Sequence, residues 1–158
     1  MSDTNIKDLI YEKLEIIVNE TKTSFINVKS FAISEVWKIL QLLTAVVIQL
    51  IENIADNLSG PEKKKLALEV IGKFYDDVFF YIDIPWVPSP LEPILHSHLK
   101  NFLMIFVGAG IDAMVTTFRN VGVFRPKNNT DTTIQSNIDE NEIIVIDFIK
   151  NIKEIARK

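Results

Sequence analysis

The sequence predicts an all-α protein, a single bundle of about five helices with a polar linker before the last helix. Apolar residues recur at intervals of three and four along most of the chain, as on one face of a helix. Prolines cluster between these stretches or at their starts, where they end or begin helices. Hydrophobic residues make up 47% of the chain, so several helices should be buried on most of their circumference.

Length and composition limit the classes of function. A chain of 158 residues suits one domain, and a net charge of −4 gives no basic field for nucleic acid. The chain has no cysteine, which excludes disulfides, thiolate nucleophiles and Cys-based metal sites. The N-terminus is polar and charged rather than signal-like, so an intracellular location is expected.

The first half of the chain predicts two helices. Apolar residues from Ile6 to Val18 follow helical spacing, and the polar stretch at 20–24 is either a break or a tolerated interruption. A second helix is predicted over about 24–57. Its later part, 39–51, is apolar nearly all round, as expected in the middle of a bundle or in lipid.

A third helix starts with the clearest local signal in the chain. Ser59 and Glu62 have the spacing of a capping box, and Pro61 fits a first helical turn. Apolar residues then follow one helix face from Leu66 to Tyr81.

A proline-rich loop separates the third helix from a fourth, predicted over about 91–120. Pro85, Pro88 and Pro90 forbid regular helix here, and Trp86 is predicted to pack on a neighbour and hold the loop rigid. The helices over about 24–57 and 91–120 are expected to form the apolar centre. Gly122 fits a C-terminal stop.

Three regions follow from this pattern: a helical core at 1–124, a flexible polar linker at 125–138, and a C-terminal amphipathic helix at 139–158. The linker is too polar to fold alone. The β-branched run at 143–146 leaves a short strand as the alternative to the last helix.

Small and charged residues in the fourth helix are the candidate interaction or packing residues, together with Trp86. Gly108 and Gly110 lack the Lys-Ser/Thr that follows in a phosphate loop, and they predict close helix packing. Asp112 and Arg119, seven residues apart, share one helix face. Asp112 is interpreted either as a partner for a polar side chain of another helix or as a functional carboxylate.

No set of catalytic or metal-binding residues stands out, so no enzyme activity, cofactor or metal is predicted. His96 and His98 diverge by roughly 200° on a helix, and no Cys or acidic cluster completes a site with them. Acid–base catalysis would need a His, Ser or second acid paired with Asp112, and the adjacent sequence offers none.

The apolar helices leave the membrane question open. The segments at 36–51 and 102–118 are shorter than the roughly 20 apolar residues of a spanning helix, and Asp112 interrupts the second. A soluble or peripheral bundle is favoured over a membrane hairpin. Lys63, Lys64 and Lys65 would form either a solvated face or a contact with anionic lipid.

Three elements in order resemble a group of small helical proteins of unknown function from large double-stranded DNA viruses and phages. They are the 58–65 helix start, the 84–88 loop, and the segment at 110–115 with Phe118. The similarity covers about 58–124. It implies a virion-associated or membrane-associated structural role without catalysis.

The function predicted from the sequence is that of a non-enzymatic structural or interaction protein, virion-associated or peripheral to a membrane. It is expected to bind a protein partner or itself, with a membrane surface as a further partner and no nucleic acid. The alternatives are a small membrane-inserting, holin-like protein and a ligand-binding helical bundle.

Overall fold

The computed structural model describes residues 3–28, 31–84, 86–121 and 133–157, and within these the fold is all-α, as predicted. The five α-helices, in chain order, are α1 (Asp3–Ser24), α2 (Ile33–Ile54), α3 (Gly60–Val78), α4 (Glu92–Asn120) and α5 (Thr133–Arg157). A 3₁₀ turn, Ser89–Leu91, leads into α4.

The polar stretch at 20–24 does not break α1, which continues through Ser24. The hydroxyls of Thr21, Thr23 and Ser24 each donate a hydrogen bond to the carbonyl four residues earlier, at 2.7–2.9 Å, so they are satisfied inside the helix. The start predicted for the second helix was therefore wrong, because α2 begins only at Ile33. Between the two helices, the buried rings of Phe25 and Phe31 pack edge to face, 4.6 Å apart.

The capping box predicted at the start of α3 is confirmed. The Glu62 carboxylate accepts from the Ser59 backbone N–H at 2.8 Å, and the Ser59 hydroxyl oxygen accepts from the Glu62 N–H at 3.4 Å. Pro61 lies in the first turn. These bonds satisfy N–H groups that the helix itself cannot, and so fix where α3 begins.

Helix α2 is the centre of the bundle and packs against all four other helices. Helices α1 and α5 lie against each other and α2, whereas α4 packs on α2 and α3. The prediction of two central helices is thus right for α2 and wrong for α4. Eleven residues of α2 are buried but only four of α4, and α3 supplies fully buried rings at Phe74 and Tyr75 instead.

The last helix is longer than predicted. Its backbone is helical from Thr133, whereas the apolar pattern placed the start near 139, because that pattern reports which side chains pack and not where the backbone turns helical. The 143–146 run lies within this helix and is not a strand, and Val145 and Phe148 are buried. The predicted stop at Gly122 and the first part of the predicted linker, 125–132, lie outside the described residues.

Candidate interaction surface

Helix α4 presents two different faces, although it is apolar on both. The inner face carries the helix's four buried residues, His96, Leu103, Val107 and Ile111, and packs on α2 and α3. On the opposite face the side chains are exposed, and one of them, Asp112, forms an ion pair with Lys64 of α3. An apolar helix that is covered on one side only leaves a surface for something outside this bundle.

The inner face is fixed by a buried hydrogen-bond pair. Nε2 of His96 lies 2.9 Å from the carbonyl oxygen of Ile82, and Nδ1 lies 3.1 Å from the Tyr75 hydroxyl. Since a carbonyl only accepts, Nε2 carries the proton and Nδ1 accepts from Tyr75. His98, two residues on, points to solvent, so the two histidines diverge as their spacing predicts.

The outer face carries a continuous row of side chains, here called the α4 stripe. Its first half is large: Leu91, Leu95, His98, Phe102 and Ile105. The four hydrophobic members are exposed by 39–70%, and Ile105 by 70%. Beside the row, the Phe106 ring packs edge to face on Phe102 at 4.9 Å. These large hydrophobic side chains therefore form a solvent-exposed cluster.

The second half of the α4 stripe is small: Ala109, Asp112 and Thr116, all exposed. The Thr116 hydroxyl donates to the Asp112 carbonyl at 2.9 Å, so it needs no external partner. The Asp112 carboxylate lies 2.7 Å from Nζ of Lys64 on α3, and its side chain is 69% exposed. Asp112 thus pairs with a polar side chain of another helix, one of the two interpretations the sequence left open.

The spacing along the α4 stripe alternates strictly between four and three residues from Leu91 to Thr116. This is the 3.5-residue repeat by which one helix packs along another in a coiled coil. Sequence reasoning missed it because α4 is apolar on both faces, which hides the period. A count of the 4-3 spacing itself would have found it.

Trp86 does not pack on a neighbour, contrary to prediction, and is 102% exposed. It is the third residue of a turn closed by a hydrogen bond from the Val87 N–H to the Ile84 carbonyl at 3.2 Å. Its φ of 70° is the positive value that this position takes in a type II turn. Trp86 and Leu95 line an open cleft of about 340 Å³, which extends the α4 stripe at its N-terminal end.

The other predicted packing residues have smaller roles. A Cβ at Gly108 would meet Leu68 at 3.7 Å, an ordinary van der Waals distance, and a Cβ at Gly110 would meet nothing within 4 Å. No described helix of the bundle approaches Gly110 closely, so the predicted close packing is wrong there. Arg119 is exposed and lines the rim of a cleft between α2, α3 and α4.

That cleft, of about 420 Å³, has a basic rim, but both lysines on it are already paired. Nζ of Lys63 lies 2.9 Å from the Glu52 carboxylate, and Lys64 pairs with Asp112. The nearby start of α3 is capped by its own Glu62, so the cleft offers little to an anion. Within the described part of the chain, no group of three or more His, Cys, Asp or Glu side chains could hold a metal ion.

Among the residues that the structure describes, two segments are long and apolar enough to cross a membrane by length and composition alone. Ile33–Ile54 is half buried over its most apolar window, and Ser89–Asn120 is only 17% buried. The core helix of a soluble protein also meets this criterion, so the finding weighs little for α2. Comparison with protein-family models, curated proteins and solved structures found no match.

Proposed function

We propose that this is a non-enzymatic interaction protein whose bundle presents the α4 stripe to a helical protein partner. The observation that carries the proposal is the exposure of a regularly spaced apolar row on a 29-residue helix anchored by its other face. Helices α1, α2, α3 and α5 serve as the scaffold. Such a role requires no catalytic group, cofactor or metal.

The exposed residues support a binding surface because they are contiguous. Single exposed hydrophobic residues are normal, whereas apolar patches of more than a few hundred Å² mark interaction sites. Phe106 contacts both Phe102 and Trp37 edge to face, at 4.9 and 6.1 Å, so the aromatic cluster is already ordered. A preordered ring cluster loses little side-chain entropy on binding, which favours affinity.

A second candidate is a peripheral membrane protein, favoured by the low burial of the apolar segment Ser89–Asn120. Asp112 argues against it, because a carboxylate in the bilayer interior costs about 3 kcal/mol on insertion scales. Insertion of the whole helix would also separate His96 from Tyr75. The virion association implied by the sequence resemblance stays a prediction and would be one setting for a protein partner.

Photocrosslinking in cells that produce the chain tests the proposal. A photoreactive side chain replaces Ile105 in one variant and Lys150, exposed on α5 away from α4, in the control. We expect protein adducts from position 105 and none from position 150, together with release of the chain from membranes by alkaline carbonate. Lipid adducts alone at position 105 would favour the peripheral membrane candidate and overturn the proposal, and retention in carbonate would overturn it in favour of an integral membrane protein.

A further inference from the structure

We infer that the partner on the α4 stripe is a second copy of this chain, with the two α4 helices antiparallel about a two-fold axis near residue 107. The inference rests on the proposed function of the α4 stripe and names its occupant. It is carried by three properties of the stripe: the distribution of side-chain size, the position of its one charge, and its area.

The size distribution makes the α4 stripe complementary to itself in one direction only. Its residues up to Ile105 are large, and those from Ala109 onward are small. An antiparallel pair centred near 107 sets Ile105 against Ala109 of the other copy, and His98 against Thr116. Large side chains then fill the space over small ones, as interdigitating helices require. A parallel pair would crowd the rings at one end and leave a gap at the other.

The charge of Asp112 selects the same direction. In a parallel, in-register pair, Asp112 would face Asp112, and like charges opposite each other are destabilising. In the antiparallel pair, Asp112 lies level with Phe102 of the other copy, and His98 and Asn101 of that copy lie within one helical turn of it. Both are exposed, and both side chains carry N–H donors for a carboxylate. Asp112 keeps Lys64 as its partner within its own chain.

The exposed area is sufficient for a stable dimer. Leu91, Ile94, Phe102, Ile105 and Phe106 are each 49–70% exposed, and Trp86 extends the surface. These five side chains offer on the order of 600 Å² per copy, which is about the lower limit for a stable specific interface. A C2 pair buries the same patch on both subunits, and with the axis near residue 107 it covers the stripe from Leu95 to Thr116.

The oligomeric state is the first test, by sedimentation equilibrium of the full chain. Ile105→Glu should raise the dimer dissociation constant at least about 100-fold, because it places a charge in the centre of the interface. Ile146→Glu is the matched control, since Ile146 on α5 is 61% exposed against 70% for Ile105. Both variants should keep the circular dichroism spectrum of the wild type. A monomeric wild type, or equal weakening by both substitutions, would overturn the inference.

Disulfide trapping tests the orientation, and the absence of cysteine from the chain makes it simple. The single variants His98→Cys and Thr116→Cys should form a mixed disulfide dimer when combined and none when oxidised separately. Two copies of residue 98 would lie roughly 27 Å apart along the axis, too far for a disulfide. Ser97→Cys, exposed on α4 but off the stripe, is the control. Efficient self-crosslinking of either variant alone would indicate a parallel pair and overturn the inference.

The two proposals fail in different ways. A monomeric chain that still gives adducts with other proteins from position 105 would overturn self-association and leave the α4 stripe as a protein-binding surface. Lipid adducts alone would overturn both. Adducts between two copies of the chain, with the mixed disulfide joining position 98 of one variant to position 116 of the other, would support both.

Discussion

The hydroxyl of Tyr75 lies 3.1 Å from Nδ1 of His96, and this hydrogen bond joins α3 to α4 in the protein interior. Tyr75 is only 1% exposed and His96 only 4%. Because the other ring nitrogen of His96 donates to the Ile82 carbonyl, the Tyr75 hydroxyl is the donor that satisfies Nδ1. The Tyr75 hydroxyl therefore satisfies the buried polar group on the inner face of α4.

Replacing Tyr75 by Phe should leave Nδ1 of His96 buried without a donor. We expect the free energy of unfolding to fall by about 1–3 kcal/mol, the usual cost of an unsatisfied buried polar atom. Urea denaturation measures it. Tyr11→Phe is the control, since the Tyr11 hydroxyl bonds to Glu69 at the surface and its loss should cost less. Equal losses in the two variants would contradict this account.

Stability should fall at alkaline pH. Burial, with a smaller effect of the Asp76 charge, raises the pKa of Tyr75 from 10.0 to about 12. Burial, and then the hydrogen bond to Glu69, raise the pKa of Tyr11 in the same way. Between pH 10 and 12 the unfolded chain binds fewer protons than the folded one, so the free energy of unfolding decreases as pH rises.

The Tyr75→Phe variant should show a shallower decrease over that interval, because it removes one of the two groups. Urea denaturation at a series of pH values, with tyrosinate absorbance followed in parallel, provides the measurement. A slope identical to that of the wild type would show that Tyr75 does not contribute.

The Lys63–Glu52 ion pair should stabilise the protein more than the exposed pairs do. Its side chains are only 16% and 20% exposed, whereas those of Lys73 and Asp77 are 51% and 33% exposed. Lys63→Met would leave Glu52 partly buried without its partner, and we expect a loss of about 1–3 kcal/mol. Lys73→Met should change stability by less than about 0.5 kcal/mol. Thermal and urea unfolding of the two variants compare them directly.

The cap of α3 should respond both to substitution and to acid. Ser59→Ala removes the oxygen that accepts from the Glu62 N–H and should cost about 1 kcal/mol, whereas Ser59→Gly should cost less.

Hydrogen bonds from the Ser59 side chain and backbone lower the pKa of Glu62 below 4.5. Its contribution is therefore present above its unfolded pKa and lost as pH falls through the folded one.

Glu62→Gln should accordingly flatten the dependence of stability on pH in that acidic range, measured by urea denaturation. Glu12→Gln, at an exposed site on α1, serves as the control for a general loss of negative charge. An acid profile that Glu62→Gln leaves unchanged would argue against the capping bond as the cause.

The helices were predictable from the sequence because their signals are local. The capping box at Ser59 and Glu62 specified the start of α3, and the apolar periodicity located α1 and α5. The second helix was predicted to start too early, near residue 24, because polar residues such as Thr21 and Ser24 often mark a break. Here their hydroxyl groups bond to carbonyls of their own helix, so α1 continues through them. In the gap before α2 the rings of Phe25 and Phe31 pack on each other, a contact that spacing alone does not reveal.

The candidate site was predicted in part. Of the residues singled out, Asp112 lies on the α4 stripe and Trp86 extends it, whereas Arg119 lies on the rim of another cleft and α4 was placed in the centre. The apolar content of a helix predicts that its surface is buried against something, but it does not show whether that is the same chain or another molecule. Trp86, among its prolines, was expected to pack on a neighbour, whereas it is fully exposed at a turn position with positive φ that the sequence did not reveal.

The two faces of α4 are under different evolutionary constraints: residues of one face keep the bundle folded, and residues of the other determine what the protein binds. Substitutions at Leu103 or Val107 would be filtered by whether the chain folds at all. Substitutions at Phe102 or Ile105, one or two positions away, would leave the bundle folded and change only what binds to it. During evolution, a few substitutions at exposed positions of α4 could therefore change the binding partner while every intermediate sequence still folds.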